Sequence, residues 1–260
     1  MRLIRYKIKG EAPLNGWLYG DPPEGLIGPV EGSIYQEFRR LEANIPEESV
    51  RLLAPVQPSK IICVGRNYAA HAKEHQAEVP EIPLLFMKPP SAIIGPDDPI
   101  ILPPQSKQVE HEAELVVVIG KRGRWISPEE STKYILGYTI GNDLTARDLQ
   151  RRDGQWTRSK GFDTFCPVGP WIETEFDPAD SLITCHVNGE MRQMASTRDM
   201  VFSVRQLIAF ISSIMTLEPG DLIFTGTPSG VSPLFQGDEI NITIEGLGLL
   251  SNHVITESVQ

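Results

Sequence analysis

Short runs of branched apolar residues alternate along this chain with stretches rich in glycine, proline and charge. The segments MRLIRYKIKG and NGWLYGD alternate apolar and polar positions, as half-buried strands do. After them the pattern predicts a turn-rich loop, a short polar helix near Ile34–Asn44, and a linker, LAPVQPSK, with two prolines. KIICVGRN reads as a buried strand ending in a turn, YAAHAKEHQ as a short helix, and PLLFMKPPSAII as an extended, proline-broken segment. VEHEAELVVVIG predicts another buried strand. GRWISPEESTKYIL predicts a helix starting at Ser127-Pro128-Glu129-Glu130, and GYTIGNDLTARDLQ a strand followed by a helix. The last third sets the short strands SLITCHVNGE, GDLIFTGTP and DEINITIEGLG around one amphipathic helix, SVRQLIAFISSIMTL. The expected class is α+β with β dominant, without the regular βαβ alternation of a doubly wound sheet. A small β-rich N-terminal domain over 1–56 and a catalytic domain over 57–260 are the expected division.

Composition narrows the partners. The 260 residues carry a formal charge of −10 and show no basic run or stripe, which argues against nucleic acid or an anionic membrane surface as partner. No apolar run approaches the roughly 20 residues that span a bilayer, and MRLIRYKIKGEAPLNG lacks the apolar core of a signal peptide. Cys63, Cys166 and Cys185 are far apart and form no C-x-x-C pair, so free buried thiols and a cytoplasmic location are expected. Gly226-Thr227-Pro228-Ser229-Gly230 has no following Lys-Ser/Thr and is no P-loop; Gly246-Leu247-Gly248 lacks the third glycine and helix of a dinucleotide fingerprint. No G-x-S-x-G elbow is present.

The chemistry concentrates in three segments. In VEHEAELVVVIG, Glu112 and Glu114 share one face of a strand, joined by Glu110 if the strand starts early. Paired carboxylates against a buried run need positive charge between them, supplied by a divalent cation or by arginines and lysines from elsewhere. Asp143 stands where an apolar strand ends, either as a helix cap or as a third hard oxygen ligand. Three carboxylates suit Mg²⁺, Mn²⁺ or Ca²⁺ rather than Zn²⁺. In HAKE, His71 and Glu74 at i and i+3 form either an oriented acid/base pair or an ordinary solvated helix face.

Seven stretches in order over roughly residues 59–254 resemble the fumarylacetoacetate hydrolase family: ICVGRNYAAHAKE, LLFMKPPSAIIGP, VEHEAELVVVIG, GYTIGNDLTARDLQ, RSKGFDTFCPVGPW, HVNGE and DLIFTGTPSGV. The resemblance implies a mixed β-roll of packed, curved sheets, usually homodimeric. It implies a divalent metal (Mg²⁺, or Mn²⁺ or Ca²⁺) on Glu112, Glu114 and Asp143. His71 and Glu74 would be the acid/base pair on a lid helix, with Lys160 beside the metal. Arg66, Arg147, Gln150, Gly226 and Thr227 would bind substrate. The resemblance assigns Glu110 no role, and it reads as a charge at the rim or just behind the metal carboxylates. The expected activity is cleavage of a C–C bond in a β-diketo acid of the acylpyruvate type through a metal-stabilised enolate. The alternatives are an oxaloacetate decarboxylase or tautomerase, or a 2-hydroxyhepta-2,4-diene-1,7-dioate isomerase, using the same site on a small 2-oxo acid. Substrate choice would lie in the lid stretch HQAEVPEIP and near Gln155 and Trp156. The short N-terminal piece departs from the eukaryotic hydrolase, which makes fumarylacetoacetate a doubtful substrate.

Overall fold

The computed structural model describes residues 1–74 and 76–257. The chain opens with an antiparallel meander of β1 (Arg2–Lys7), β2 (Leu14–Tyr19) and β3 (Leu26–Gly32). Next come β4 (Ile61–Gly65), the short α1 (Ala69–Glu74), β5 (Leu84–Lys88) and β6 (Pro99–Leu102). The middle of the chain holds β7 (Ala113–Ile119), β8 (Ile135–Asn142), α2 (Arg147–Asp153), α3 (Thr157–Lys160) and β9 (Cys166–Glu173). The last third supplies β10 (Leu182–Val187), β11 (Glu190–Ser196), α4 (Val204–Ile214), β12 (Leu222–Phe224), β13 (Glu239–Ile244) and β14 (Gly248–Thr256).

The main path of the large sheet runs β3-β2-β1-β9-β8-β7-β12-β4-β5, so the N-terminal meander joins the rest of the sheet where β1 pairs with β9. A second sheet of five strands runs β6-β14-β13-β10-β11, and Val109–Glu110 pairs with Thr145–Ala146 as a small ribbon. The strand-rich architecture agrees with the β-dominant class expected from the patterning. β7 is buried along its whole length because both its faces are covered. Leu115, Val117 and Ile119 pack toward the second sheet and α4, with Ile183, Ile242 and Ile208. Val116 and Val118 pack on the opposite side with Leu3, Ile61 and Cys166. That two-sided burial explains a continuous apolar run where a half-exposed strand would alternate. Gly141 on β8 lets the layers close: a Cβ there would lie 2.4 Å from the Phe224 ring and 2.6 Å from Val116.

α4 forms where the pattern places it. Val204, Leu207, Ile208 and Ile211 make one buried stripe, and Ser203 closes a capping box with Gln206. Two expected helices are absent. Near Ile34–Asn44 the chain instead forms a turn and a short strand, Phe38–Arg40, paired with Val30–Gly32. Leu41 N–H and Asn44 N–H donate to carbonyls of Pro29 and Ile27, so β3 captures a segment that has no apolar stripe to bury as a helix. Around Ser127-Pro128, turns lead to a 3₁₀ turn, Ser131–Tyr134. The preceding residues are pinned to α4 through Ser212, which leaves no length for an α-helix before β8 begins. The LAPVQPSK stretch is packed, with Ala54 and Val56 buried.

Asn67, just beyond β4, is fully buried and fastens three parts of the fold. Its Nδ2 donates to the carbonyls of Phe202 (3.0 Å) and Thr225 (2.7 Å), and its Oδ1 accepts from Phe202 N–H at 2.7 Å. Asn67→Ala orphans three main-chain groups, so it is expected to lower stability by about 3 kcal/mol, read as a shifted urea midpoint at constant slope.

Candidate functional site

The site forms at the N-terminal end of β7. Period-two geometry turns Glu112 and Glu114 to the same side. β8 ends beside them, and Asp143 N–H donates to the Glu112 carbonyl at 2.9 Å. One carboxylate oxygen from each of Glu112, Glu114 and Asp143 comes within 4.8 Å of the others, and all three residues are buried. Asp143 is not a helix cap: α2 begins at Arg147, with Ala146 at its N-cap position and no side-chain cap. Glu110 is not at the rim but stands behind the three carboxylates, joined to Glu112 through Arg147. It is buried in the small ribbon and accepts from Arg147 Nε and Gln108 Nε2, each at 2.7 Å.

Three buried cations answer these carboxylates. Lys160 Nζ donates to Glu112 at 2.8 Å and Asp143 at 2.7 Å. Arg147 bridges Glu110 and Glu112. Lys88 Nζ donates to Asp143 at 2.5 Å and to the Leu144 carbonyl at 3.0 Å. Glu114 has no cationic partner among the described residues; its carboxylate accepts the Gly226 N–H at 2.7 Å. Four carboxylates (Glu110, Glu112, Glu114, Asp143) therefore face three cations (Lys88, Arg147, Lys160). Burial works to raise the Glu112 carboxyl, but Lys160 and Arg147 outweigh it and hold Glu112 below the usual carboxylate range. Burial, then Asp143 and Glu112, push Glu114 far above that range. Glu114 is the carboxylate left without a cation, and the excess is relieved when it keeps its proton or meets an added cation.

A cavity of about 270 Å³ opens onto this cluster. His71 lines it from α1 and is buried, whereas Lys73 and Glu74 on the same short helix are exposed. His71 Nδ1 lies 3.3 Å from Glu74 Oε2, and the Glu74 carboxylate also accepts Gly230 N–H at 3.1 and 3.2 Å. Of the residues the resemblance assigns to substrate, Arg66, Arg147, Gln150 and Thr227 line the cavity. Arg66 holds the left-handed backbone conformation at φ 58°. Gln150 accepts from Arg147 Nη1 at 2.9 Å. Gly226, at φ +99° and with 2.7 Å between a Cβ there and Asn67 Cβ, gives its N–H to Glu114. Trp156 forms a wall edge-on to Phe86, their ring centroids 5.1 Å apart, whereas Gln155 is exposed. In HQAEVPEIP, His75 lies outside the described residues; Val79 and Ile82 are exposed.

Lys88, Phe86 and Arg151 belong to this site and were not singled out by sequence reasoning. The one signal for Lys88 was a lone lysine in the apolar run LLFMK.

The donor set fits a divalent ion. Glu112, Glu114 and Asp143 offer three hard, converging oxygens, and they include the carboxylate that no protein cation balances. A softer metal would find no imidazole or thiolate in this group.

A family model described as fumarylacetoacetate (FAA) hydrolase, C-terminal, matches residues 60–255. The chain is 48% identical over 223 residues to the mitochondrial oxaloacetate tautomerase Fahd2a of Rattus norvegicus, covering 81% of this chain and 71% of that one. The 5-carboxymethyl-2-hydroxymuconate delta-isomerase of Mycobacterium smegmatis has a TM-score of 0.93 at 44% identity, covering 99% of this chain and 100% of that one. The 2-hydroxyhepta-2,4-diene-1,7-dioate isomerase of Mycobacterium marinum has a TM-score of 0.93 at 43% identity over 100% of both chains. Among the described residues no helix is long and apolar enough to cross a membrane.

Glu114→Gln keeps the acceptor for Gly226 N–H and removes the one carboxyl that no protein cation balances. In chelator the variant should melt no lower than the parent. Saturating Mg²⁺ should stabilise the parent by about 2–3 kcal/mol and the variant not at all, read by calorimetry. Lys88→Met, which strips Asp143 of a buried partner, is expected to cost about 3 kcal/mol in the same assay.

Proposed function

The chain belongs to the fumarylacetoacetate hydrolase family, and we propose that within it this enzyme moves a proton on a small 2-oxo acid, interconverting enol and keto forms. The observation that carries the reading is one imidazole, His71, which lines the same cavity as Glu112, Glu114 and Asp143 and has the Glu74 carboxylate 3.3 Å behind its Nδ1. The named tautomerase and isomerase relatives support the same reaction class.

A divalent ion held by Glu112, Glu114 and Asp143, with Mg²⁺ the first candidate and Mn²⁺ or Ca²⁺ also suited, would supply Lewis acidity toward the carboxylate and 2-oxo oxygens of the acid. The chain's own residues do the rest. Glu74 orients His71 through Nδ1, and the imidazole carries the proton between the carbon next to the carbonyl and the carbonyl oxygen, so that C–H breaks as O–H forms and the reverse restores the keto acid. Lys160, raised above the ordinary lysine range because Asp143 and Glu112 outweigh its burial, stays charged and offsets negative charge on the substrate oxygen. Arg147 is committed to Glu110 and Glu112 and holds the carboxylates in place. Arg66 and Arg151 line the same cavity and favour an acid with a second carboxylate. Phe86 and Trp156 give the cavity one apolar wall.

C–C cleavage of an acylpyruvate is the second reading. It rests on the same pair, because an imidazole oriented by a carboxylate also activates water. Decarboxylation of oxaloacetate is a third outcome for the same site. A homodimer in the cytoplasm completes the proposal, and sedimentation of the purified chain tests its oligomeric part.

With Mg²⁺ present, the protein is expected to speed the loss of oxaloacetate enol absorbance without releasing pyruvate. His71→Asn should slow that step by roughly 10²–10⁴-fold while keeping the thermal shift with Mg²⁺. Release of acetate from acetylpyruvate would replace the reading with the hydrolase, and release of pyruvate from oxaloacetate with the decarboxylase. A His71→Asn rate within a few-fold of the parent removes His71 from the chemistry.

A further inference from the structure

Gln193 on β11 reaches from the second sheet to the start of β7 and is buried. Its carboxamide has no spare capacity. Oε1 accepts from Ala113 N–H at 3.0 Å and lies 3.0 Å from His111 Nδ1. Nε2 donates to Thr227 Oγ1 and to the Pro228 carbonyl, each at 2.8 Å. Chemistry fixes this orientation, since the Ala113 N–H can only donate and the Pro228 carbonyl only accept. His111 therefore carries its proton on Nδ1, and its Nε2 accepts from the Ser232 hydroxyl at 2.9 Å. The Thr227 hydroxyl, already accepting from Gln193, donates to the Ala113 carbonyl at 2.9 Å.

These side chains stand in for a missing strand. β12 pairs with β7 only from Val116 to Val118, while β8 holds the other edge as far as Ala113. The outward N–H and carbonyl of Ala113 would otherwise be unpaired in a buried place; Gln193 takes one and Thr227 the other. Thr227 lines the cavity, and its own main-chain N–H makes no hydrogen bond among the described residues.

We propose that Gln193 is a positioning residue that acts through Thr227, holding its free main-chain N–H toward the cavity to receive the carboxylate of the bound acid. The ligand class in this statement rests on the 2-oxo acid reading; the hold of Gln193 on Thr227 does not.

Gln193→Glu separates the two arms of the clasp. It retains an oxygen for Ala113 and His111 but loses both donors to Thr227 and Pro228. Thr227→Val removes the hydroxyl at nearly constant shape. Three quantities are measured in the parent, both single variants and the double variant: amide exchange of Gly226 and Gly230 by nuclear magnetic resonance, Mg²⁺ affinity, and affinity for oxalate with Mg²⁺ present. In Gln193→Glu, loop exchange should quicken and oxalate binding weaken, each by about tenfold. Its Mg²⁺ affinity should stay within roughly threefold, and its effect on oxalate should largely vanish in the Thr227→Val background. Unchanged exchange in the folded variants overturns the proposal. So does a loss of Mg²⁺ affinity matching the loss for oxalate, which would make Gln193 only a brace for the acidic strand, and so do additive effects of the two substitutions. Should Gln193→Glu fail to fold, the neutral Gln193→Met replaces it, with the same faster exchange expected. A parent protein that binds Mg²⁺ but not oxalate sinks the 2-oxo acid reading, and loop exchange still decides whether Gln193 holds Thr227.

Discussion

The structure turns on an excess of buried negative charge at the mouth of one strand. Lys88, Arg147 and Lys160 answer Glu110, Glu112 and Asp143, and Glu114 is left with a single main-chain N–H. A carboxylate in that position is costly unless it is protonated or met by a cation. The fold holds it there because β7 is clamped on both faces, and a shift by one residue would drive Val116 and Val118 out of their layer. Packing elsewhere in the molecule sustains an arrangement that the site alone would not favour.

The same constraint explains the loops. β12 stops pairing with β7 at Val116, and the chain from Thr225 to Gly230 turns over the strand edge left unpaired there. Thr225 donates twice to the Leu115 carbonyl, at 3.1 Å from its N–H and 2.8 Å from its hydroxyl. A regular strand would have filled the edge but closed the cavity. Side-chain and loop donors satisfy the same main-chain groups and leave room for a ligand.

Much of this was legible in the amino-acid order, for identifiable reasons. The period of two and the branched run place Glu112 and Glu114 on one side of a buried strand, and the end of GYTIGN brings Asp143 to the same level. Lys88 was not legible, because a lysine in LLFMK gives no sign of which carboxylate it meets 55 residues later. Arg147 was read as facing substrate, while the structure commits it to Glu110 and Glu112 as well. For Glu110 the order leaves rim and outer charge open, because it does not show that the ribbon with Thr145–Ala146 buries it against Arg147. The helix expected near Ile34–Asn44 is absent for a related reason: polar composition alone does not distinguish a helix from a turn, and β3 offers main-chain partners that no local pattern announces.

Gly226 gives its N–H to Glu114, and Gly230 gives its N–H to Glu74. The carboxylate left without a cation and the carboxylate beside the imidazole are thus harnessed to one five-residue loop. A change in that loop is mechanically coupled to both at once, whereas the facing wall of Phe86, Trp156 and Arg66 makes no hydrogen bond to either carboxylate among the described residues. Substitutions on that wall reshape the cavity while the loop stays as it is.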